Sequence, residues 1–122
     1  MLMSNSENLT LIDWEKSIAL ADNDPELARD ILILTERSLP RDMEEITAAY
    51  KENDEREMRR LLHKLEGGIS YAKFPKLEKT TLAFHKAIHE DETEQFEVLH
   101  AELQSAIQDT LTAIQEKIRA QK

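Results

Sequence analysis

Apolar residues along this chain recur every three or four positions, which is the spacing of a helix face and not the alternation of a strand. Five segments carry this pattern, and the sequence shows no strand signal, no repeat and no low-complexity stretch. The first segment is short, and either Thr10 or Asp13 is suited to cap it. Its predicted apolar face consists of Leu11, Trp14 and Ile18.

The second helix should begin after Asp24 as N-cap, with Pro25 at the first helical position, where a missing N–H costs nothing. Pro40 lies inside the same pattern. Because proline removes a helical hydrogen bond, we predict a kink or a short break there. The residues predicted to face inward are Leu27, Ile31, Leu34, Met43, Ile46 and Tyr50.

The remaining three helices are predicted from similar signals. The third should start near Asp54 and run through Ala72, and Pro75 then prevents its continuation. Its apolar stripe is Met58, Leu61, Leu62, Leu65, Ile69 and Ala72. The fourth starts at Pro75 with Leu77, Thr81, Phe84 and Ile88 inward. The fifth starts near Thr93, with Phe96, Leu99, Leu103, Ile107, either Thr110 or Leu111, Ile114 and Ile118 inward.

Short connections between helices of this length make successive helices antiparallel. We therefore predict an all-α fold, an antiparallel up-down-up-down four-helix bundle with a short additional N-terminal helix. The bundle domain should comprise residues 9–122. Residues 1–8 are polar and without pattern, so we expect a flexible tail there.

Composition narrows the possible partners and location. The 122 residues carry a formal net charge of -9 and no cysteine. This charge makes nucleic-acid binding unfavourable, since such binding depends on clustered cations, and it favours a protein partner with a basic face. No apolar run is long enough to span a bilayer, and the first residues do not resemble a signal peptide. We expect a cytoplasmic protein without direct membrane contact.

The stretch LLHKLEGGISYAKFP contains both glycines of the chain, directly after His63 and inside a helical pattern. Each glycine costs a helix interior about 0.8 to 1 kcal/mol relative to alanine, so the pair needs a reason. On a helical wheel that starts at Met58, the apolar stripe lies near 0°, whereas His63 lies at about 140° and Gly67 at about 180°. Ser70 follows at about 120°. Gly67 thus clears space beside an outward-facing imidazole, and Gly68 is expected to let a neighbouring helix approach.

An exposed imidazole can act as a nucleophile near neutral pH if a phosphoryl group has room beside it. Periodicity alone leaves two interpretations open. His63 is either such a nucleophile or an ordinary surface histidine next to glycines that serve packing.

The segment HKLEGGISYAKFPKLEKTTLAF resembles the histidine-containing phosphotransfer (HPt) motif: a histidine, an apolar residue two later, a glycine four later and an apolar residue opening the next helix. It is similar in particular to the carboxy-terminal HPt domains of BarA- and GacS-type hybrid sensor kinases, where residues equivalent to Tyr71 and Pro75 recur. The similarity extends upstream through DWEKSIALADNDPELARDILILTERSLP and covers most of residues 12–90.

The resemblance implies that His63 accepts a phosphoryl group from an aspartyl phosphate on the receiver domain of a hybrid sensor kinase and passes it to a response-regulator aspartate. We predict a monomer, because the acceptor must remain exposed to its partners. The resemblance leaves open whether the protein is free or is the end of a membrane-tethered kinase. It also implies no kinase activity of the domain's own, no bound cofactor, and Mg²⁺ supplied by the receiver.

Two residues depart from the family pattern. Many members have a lysine at the position of Glu66 and a glycine at that of Lys73, in the turn after the histidine helix that leads to Pro75. A carboxylate about 6 Å from the phosphoryl group would oppose it by about 0.7 to 3 kcal/mol, depending on the local dielectric. Arg59 and Arg60 lie one turn before His63 and are candidates to compensate, as are Lys73 and Lys76 in the turn.

Two alternative functions remain at this point. The first is a helical adaptor that binds a receiver without carrying phosphate, which the departures at Glu66 and Lys73 favour. The second is a metal-binding bundle, because His85 and His89 lie four residues apart on one helix and His100 could join them from the next. Within the phosphotransfer interpretation the chain itself holds no metal.

Overall fold

A computed structural model describes residues 9–120, which form five α-helices and no strand. The helices are α1 (Trp14–Leu20), α2 (Pro25–Lys51), α3 (Glu55–Gly68), α4 (Pro75–His89) and α5 (Phe96–Ala120). Short 3-10 turns, Ile69–Tyr71 and Thr93–Gln95, precede α4 and α5. The tail predicted for residues 1–8 lies outside the described residues, as do residues 121–122.

The four long helices form the predicted bundle, in which each packs against the next and α5 closes on α2. Its centre is built from large side chains with almost no exposed surface: Leu32, Leu39, Ile46, Met58, Leu62, Leu65, Phe74, Leu77, Phe84, Ile88, Leu103 and Ile114. The short α1 packs against α2. Among the described residues, no helix combines the length and apolar character needed to cross a bilayer.

Aspartate side chains start three of the helices. Asp13 accepts a hydrogen bond from the Lys16 N–H, which selects it over Thr10 as the cap of α1. Asp24 accepts from the N–H groups at the start of α2, and Asp54 does the same for α3. Such caps pair backbone donors that have no partner within the helix, so the predicted starts of these helices are confirmed.

Of the kink or short break predicted at Pro40, the break is wrong, because α2 runs unbroken through this residue. A kink there stays a prediction. Pro40 is exposed on the surface, where water can pair with the carbonyl that proline leaves without a donor.

The inward face predicted for the first half of α2 is wrong except for Ile31, which is partly buried against the core. Leu27 and Leu34 are 41% and 62% exposed, whereas Ala28 and Thr35, one residue further along, are buried. The face is rotated by one position, about 100°. In the second half Met43 and Ile46 are buried as predicted.

The ends of the later helices differ in detail from the prediction. The regular part of α3 stops at Gly68, and Ile69 and Ala72 are buried from the 3-10 turn and loop that follow. Helix α5 begins at Phe96, after a 3-10 turn at Thr93. The sequence left open whether Thr110 or Leu111 faces inward from α5, and the structure shows Thr110 fully buried.

Candidate functional site

His63 lies on the outer face of α3, turned away from the apolar stripe that packs into the core. Its neighbours Leu62 and Leu65 are buried, with 0% and 1% of their surface exposed, while the imidazole is exposed. The packing of this stripe against the core therefore fixes the orientation of the helix and turns His63 to the solvent.

Gly67, one turn after His63, leaves open surface. A methyl group built on its Cα would meet no other group within 4 Å. Neither glycine has a positive φ, so no backbone conformation requires glycine here. The sequence interpretation of Gly67 as a cleared position beside the imidazole agrees with this geometry.

The interpretation of Gly68 is wrong. A methyl group at Gly68 would likewise meet nothing within 4 Å, so no neighbouring helix approaches it. Both glycines are the last residues of α3 rather than interior ones, and the interior penalty of about 1 kcal/mol each is an upper bound. Nothing in the structure explains Gly68.

Glu66 points to α4, where its carboxylate is paired with His85. Because an ionised carboxylate only accepts hydrogen bonds, His85 Nδ1 is the donor and Glu66 Oε2 the acceptor. The His85 ring lies 6.2 Å from the His63 ring between centroids, tilted by 56°. The sequence indicated His85 only as a candidate metal ligand, so its position beside His63 was not predicted.

The candidate cations are mostly engaged away from His63. Arg60 donates twice to Glu57, at 2.8 and 2.7 Å, and this hydrogen bonding lowers the pKa of the Glu57 carboxyl. Lys73 pairs with Glu78 at 3.0 Å and Lys76 pairs with Asp109 at 3.1 Å.

Two cations remain near the imidazole in sequence. Arg59 is exposed one turn before His63 and makes no ion pair within residues 9–120. Lys64, the next residue, lies 3.8 Å from the Glu45 carboxylate. Arg59 is therefore the candidate cation that the structure leaves most accessible to an incoming phosphoryl group.

The turn after α3 is tied to the N-terminal helix. The Lys73 N–H donates to Ser17 Oγ, and the Lys73 carbonyl accepts from the Asp13 N–H, both at 2.9 Å. Lys73 does not have a positive φ, so the replacement of the family's glycine causes no backbone strain. Pro75 opens α4 as its first residue.

Ser70 lies in the 3-10 turn on the same exposed side as Gly67. Its hydroxyl donates to the Gly67 carbonyl at 2.7 Å, which steadies the change from α-helix to 3-10 turn. A surface hollow of about 440 Å³ lies next to it, lined by Lys16, Ala19, Leu20, Ser70, Ala72, Lys73 and Glu78. Ser70 thus contacts Gly67 on one side and lines a surface hollow formed with α1 on the other.

The histidines proposed as metal ligands are separated by their contacts. His85 pairs with Glu66, whereas His100 hydrogen bonds to Thr47 at 2.9 Å and stacks on Tyr50 at 4.5 Å. Within residues 9–120, no group of three or more histidine, cysteine or acidic side chains is placed to hold a metal ion. The metal-binding bundle is therefore not supported.

Comparison with known proteins places this site in a family. A family model for the Hpt domain matches residues 30–117, which include α3 and His63. The fold is similar to the crystal structure of the HPT domain from the Hpt sensor hybrid histidine kinase from Shewanella, with 23% identity, a TM-score of 0.81, and coverage of 90% of this chain and 95% of that chain. A comparison with curated proteins finds no match. Because the family model spans most of the bundle, the chain belongs to the Hpt domain family, whose members carry out histidine phosphotransfer in the phosphorelays of two-component signalling.

Proposed function

We propose that His63 is the phospho-acceptor of this Hpt domain. The observation that carries the proposal is an exposed imidazole on α3 with open surface at Gly67, inside the range that the family model matches. A ring nitrogen of neutral His63 attacks the phosphorus of a receiver's aspartyl phosphate. The N–P bond forms, the O–P bond breaks, and the aspartate leaves as a carboxylate.

The outgoing step reverses this chemistry on a second receiver. The carboxylate of a response-regulator aspartate attacks the phosphorus, the O–P bond forms, and the N–P bond to His63 breaks. The chain itself acts as a carrier without kinase activity. We further propose that it works in the cytoplasm as a monomer, since both receivers need access to the same exposed ring.

Mg²⁺ in this reaction is proposed to come with the receiver. The described residues of this chain offer no cluster of three or more metal ligands, which supports this proposal. Arg59, Gly67 and Ser70 form the surroundings that the chain contributes, with Arg59 as the exposed cation and Gly67 as the open position.

The alternative of an adaptor that binds a receiver without carrying phosphate depended on Glu66 and Lys73. Two observations weaken it. Glu66 is paired with His85, and Lys73 occupies its turn without a positive φ. Neither departure from the family pattern therefore blocks phosphoryl transfer by its geometry.

The test is to incubate the protein with a receiver domain that has been phosphorylated by radiolabelled acetyl phosphate. We expect label on the protein that is labile to acid and stable to alkali, as a phosphohistidine is. His63→Gln should abolish it, and His89→Gln, which changes an exposed histidine on α4, should not. Label retained by His63→Gln would contradict the assignment.

A further inference from the structure

The pair formed by Glu66 and His85 bridges α3 and α4 beside the proposed acceptor. Both side chains are about three-quarters buried, with 26% and 25% of their surface exposed. The His85 ring is 6.2 Å from that of His63, and Glu66 follows His63 by three residues, a spacing at which side chains are neighbours on a helix. A contact between the two helices therefore lies within reach of the phosphoryl site.

A free carboxylate at this position would oppose the reaction. A phosphoryl group on His63 adds negative charge, and a second negative charge about 6 Å away changes a rate or equilibrium by about threefold in bulk water, and by more where the dielectric is lower. His85 limits this opposition, because its Nδ1–H bond holds the carboxylate toward α4.

We propose that His85 is a positioning residue for phosphotransfer: it holds Glu66 so that this carboxylate does not repel the phosphoryl group at His63. The inference rests on the proposed function of His63. It also accounts for Glu66 at a position where the resemblance leads one to expect lysine, because this glutamate is paired with His85.

The decisive measurement is the initial rate of label uptake from a receiver phosphorylated by radiolabelled acetyl phosphate, with the melting temperature of every variant recorded beside it. His85→Leu removes the donor and should slow uptake about 3- to 10-fold. His85→Gln keeps an N–H donor for the carboxylate and should stay near the wild-type rate. His89→Leu, a matched change of an exposed histidine on the same helix, should have no effect.

The double variant separates repulsion from lost packing. Glu66→Gln combined with His85→Leu removes the freed charge and should restore uptake, although it removes the contact completely. The Glu66→Gln variant alone should take up label at least as fast as wild type. This comparison tests the inference if His85→Leu does not fold.

Equal rates for wild type and His85→Leu, or a double variant as slow as His85→Leu, would overturn the inference. So would a Glu66→Gln protein slower than wild type. If wild type takes up label on His63 and the variants show one of these patterns, this inference fails while the proposed function stands. If wild type takes up no label, the proposed function fails and this inference fails with it.

Discussion

At the scale of single residues, the location of the two glycines is the most informative feature. Within residues 9–120, four non-glycine residues adopt the left-handed conformation that glycine accepts most easily, namely Asp22, Asn23, Asn53 and Asp91. Both glycines of the sequence instead lie on an exposed helix surface after His63, and neither has a positive φ. Backbone geometry does not require glycine there, which favours a role for the surface that Gly67 leaves open.

We predict that Gly67→Gln separates function from stability. Glutamine is the better helix former by up to about 0.9 kcal/mol, and a side chain at Gly67 meets nothing that it would displace. The variant should therefore melt at the same or a higher temperature while taking up phosphoryl groups at least several-fold more slowly. Rates of uptake and thermal melts by circular dichroism check this.

Gly68→Gln is the matched control for that experiment. It should gain a similar amount of stability, because the space around Gly68 is equally open, and its effect on transfer should be smaller. If Gly67→Gln melts higher and takes up phosphate at the wild-type rate, the open surface beside His63 is not needed.

His100 gives the fold a pH dependence. Burial lowers the pKa of His100, and the nearby Lys51 lowers it further. The unfolded chain therefore binds a proton at His100 more readily than the folded chain does. The contribution of His100 to the free energy of unfolding is fully present above the ordinary histidine pKa of 6.5 and decreases as the pH drops below it. One group contributes a slope of at most about 1.4 kcal/mol per pH unit.

We predict that His100→Gln flattens this part of the stability profile, as measured by urea unfolding between pH 7.5 and about pH 5.5. His89→Gln, on an exposed residue, should leave the profile unchanged. Burial raises the pKa of the Asp42 carboxyl, so this group adds stability as the pH falls through the range in which it titrates. Its contribution is the same in all variants. A His100→Gln protein that loses stability as steeply as wild type would contradict the assignment.

At the scale of elements, three helices end in the same way without glycine. After the C-caps of α2 and α4, the next two backbone N–H groups donate hydrogen bonds back into the helix, and after that of α1 the second one does. The first residue after each C-cap, namely Asp22, Asn53 or Asp91, adopts a positive φ. This arrangement is the Schellman motif, in which glycine is usual at the left-handed position. Asparagine and aspartate tolerate that position better than other non-glycine residues do, at a conformational cost.

We predict that Asp91→Gly raises the free energy of unfolding by about 0.5 to 1 kcal/mol, since glycine relieves the left-handed conformation and the change removes a negative charge at a helix C-terminus. Asn53→Gly relieves the same conformation without changing charge, and it should gain less. Urea unfolding at low and high salt separates the two contributions, because only the charge term is screened. A destabilised Asp91→Gly protein would contradict this account.

The sequence is a good guide to features that depend on local chemistry. Aspartate caps and the apolar stripe of α3 were predictable because each depends on a few neighbouring residues. The inward face of early α2 was not, since small Ala28 and Thr35 are buried by the other helices while the larger Leu34 stays exposed. The contact of His85 with Glu66 was also missed, because it joins two helices and leaves no spacing signal in either.

At the scale of the whole molecule, an acidic protein carries a comparatively basic helix. The net charge is -9, yet α3 contains four cations, Arg56, Arg59, Arg60 and Lys64, against three carboxylates, Glu55, Glu57 and Glu66. Two of those carboxylates are held in pairs, by Arg60 and by His85. The bundle thus presents His63 on a helix with a small net positive charge, which reduces the repulsion that an anionic phosphoryl group meets.

We propose that phosphoryl groups pass through His63 from one receiver to another. The most direct measurement follows label from a phosphorylated donor receiver to a second receiver, purified and mixed with catalytic amounts of the protein. We predict that label reaches the second receiver with wild type and with His89→Gln, and that it does not with His63→Gln. Transfer that persists with His63→Gln, or wild type that takes label from the donor but never yields it to any receiver, would contradict the account.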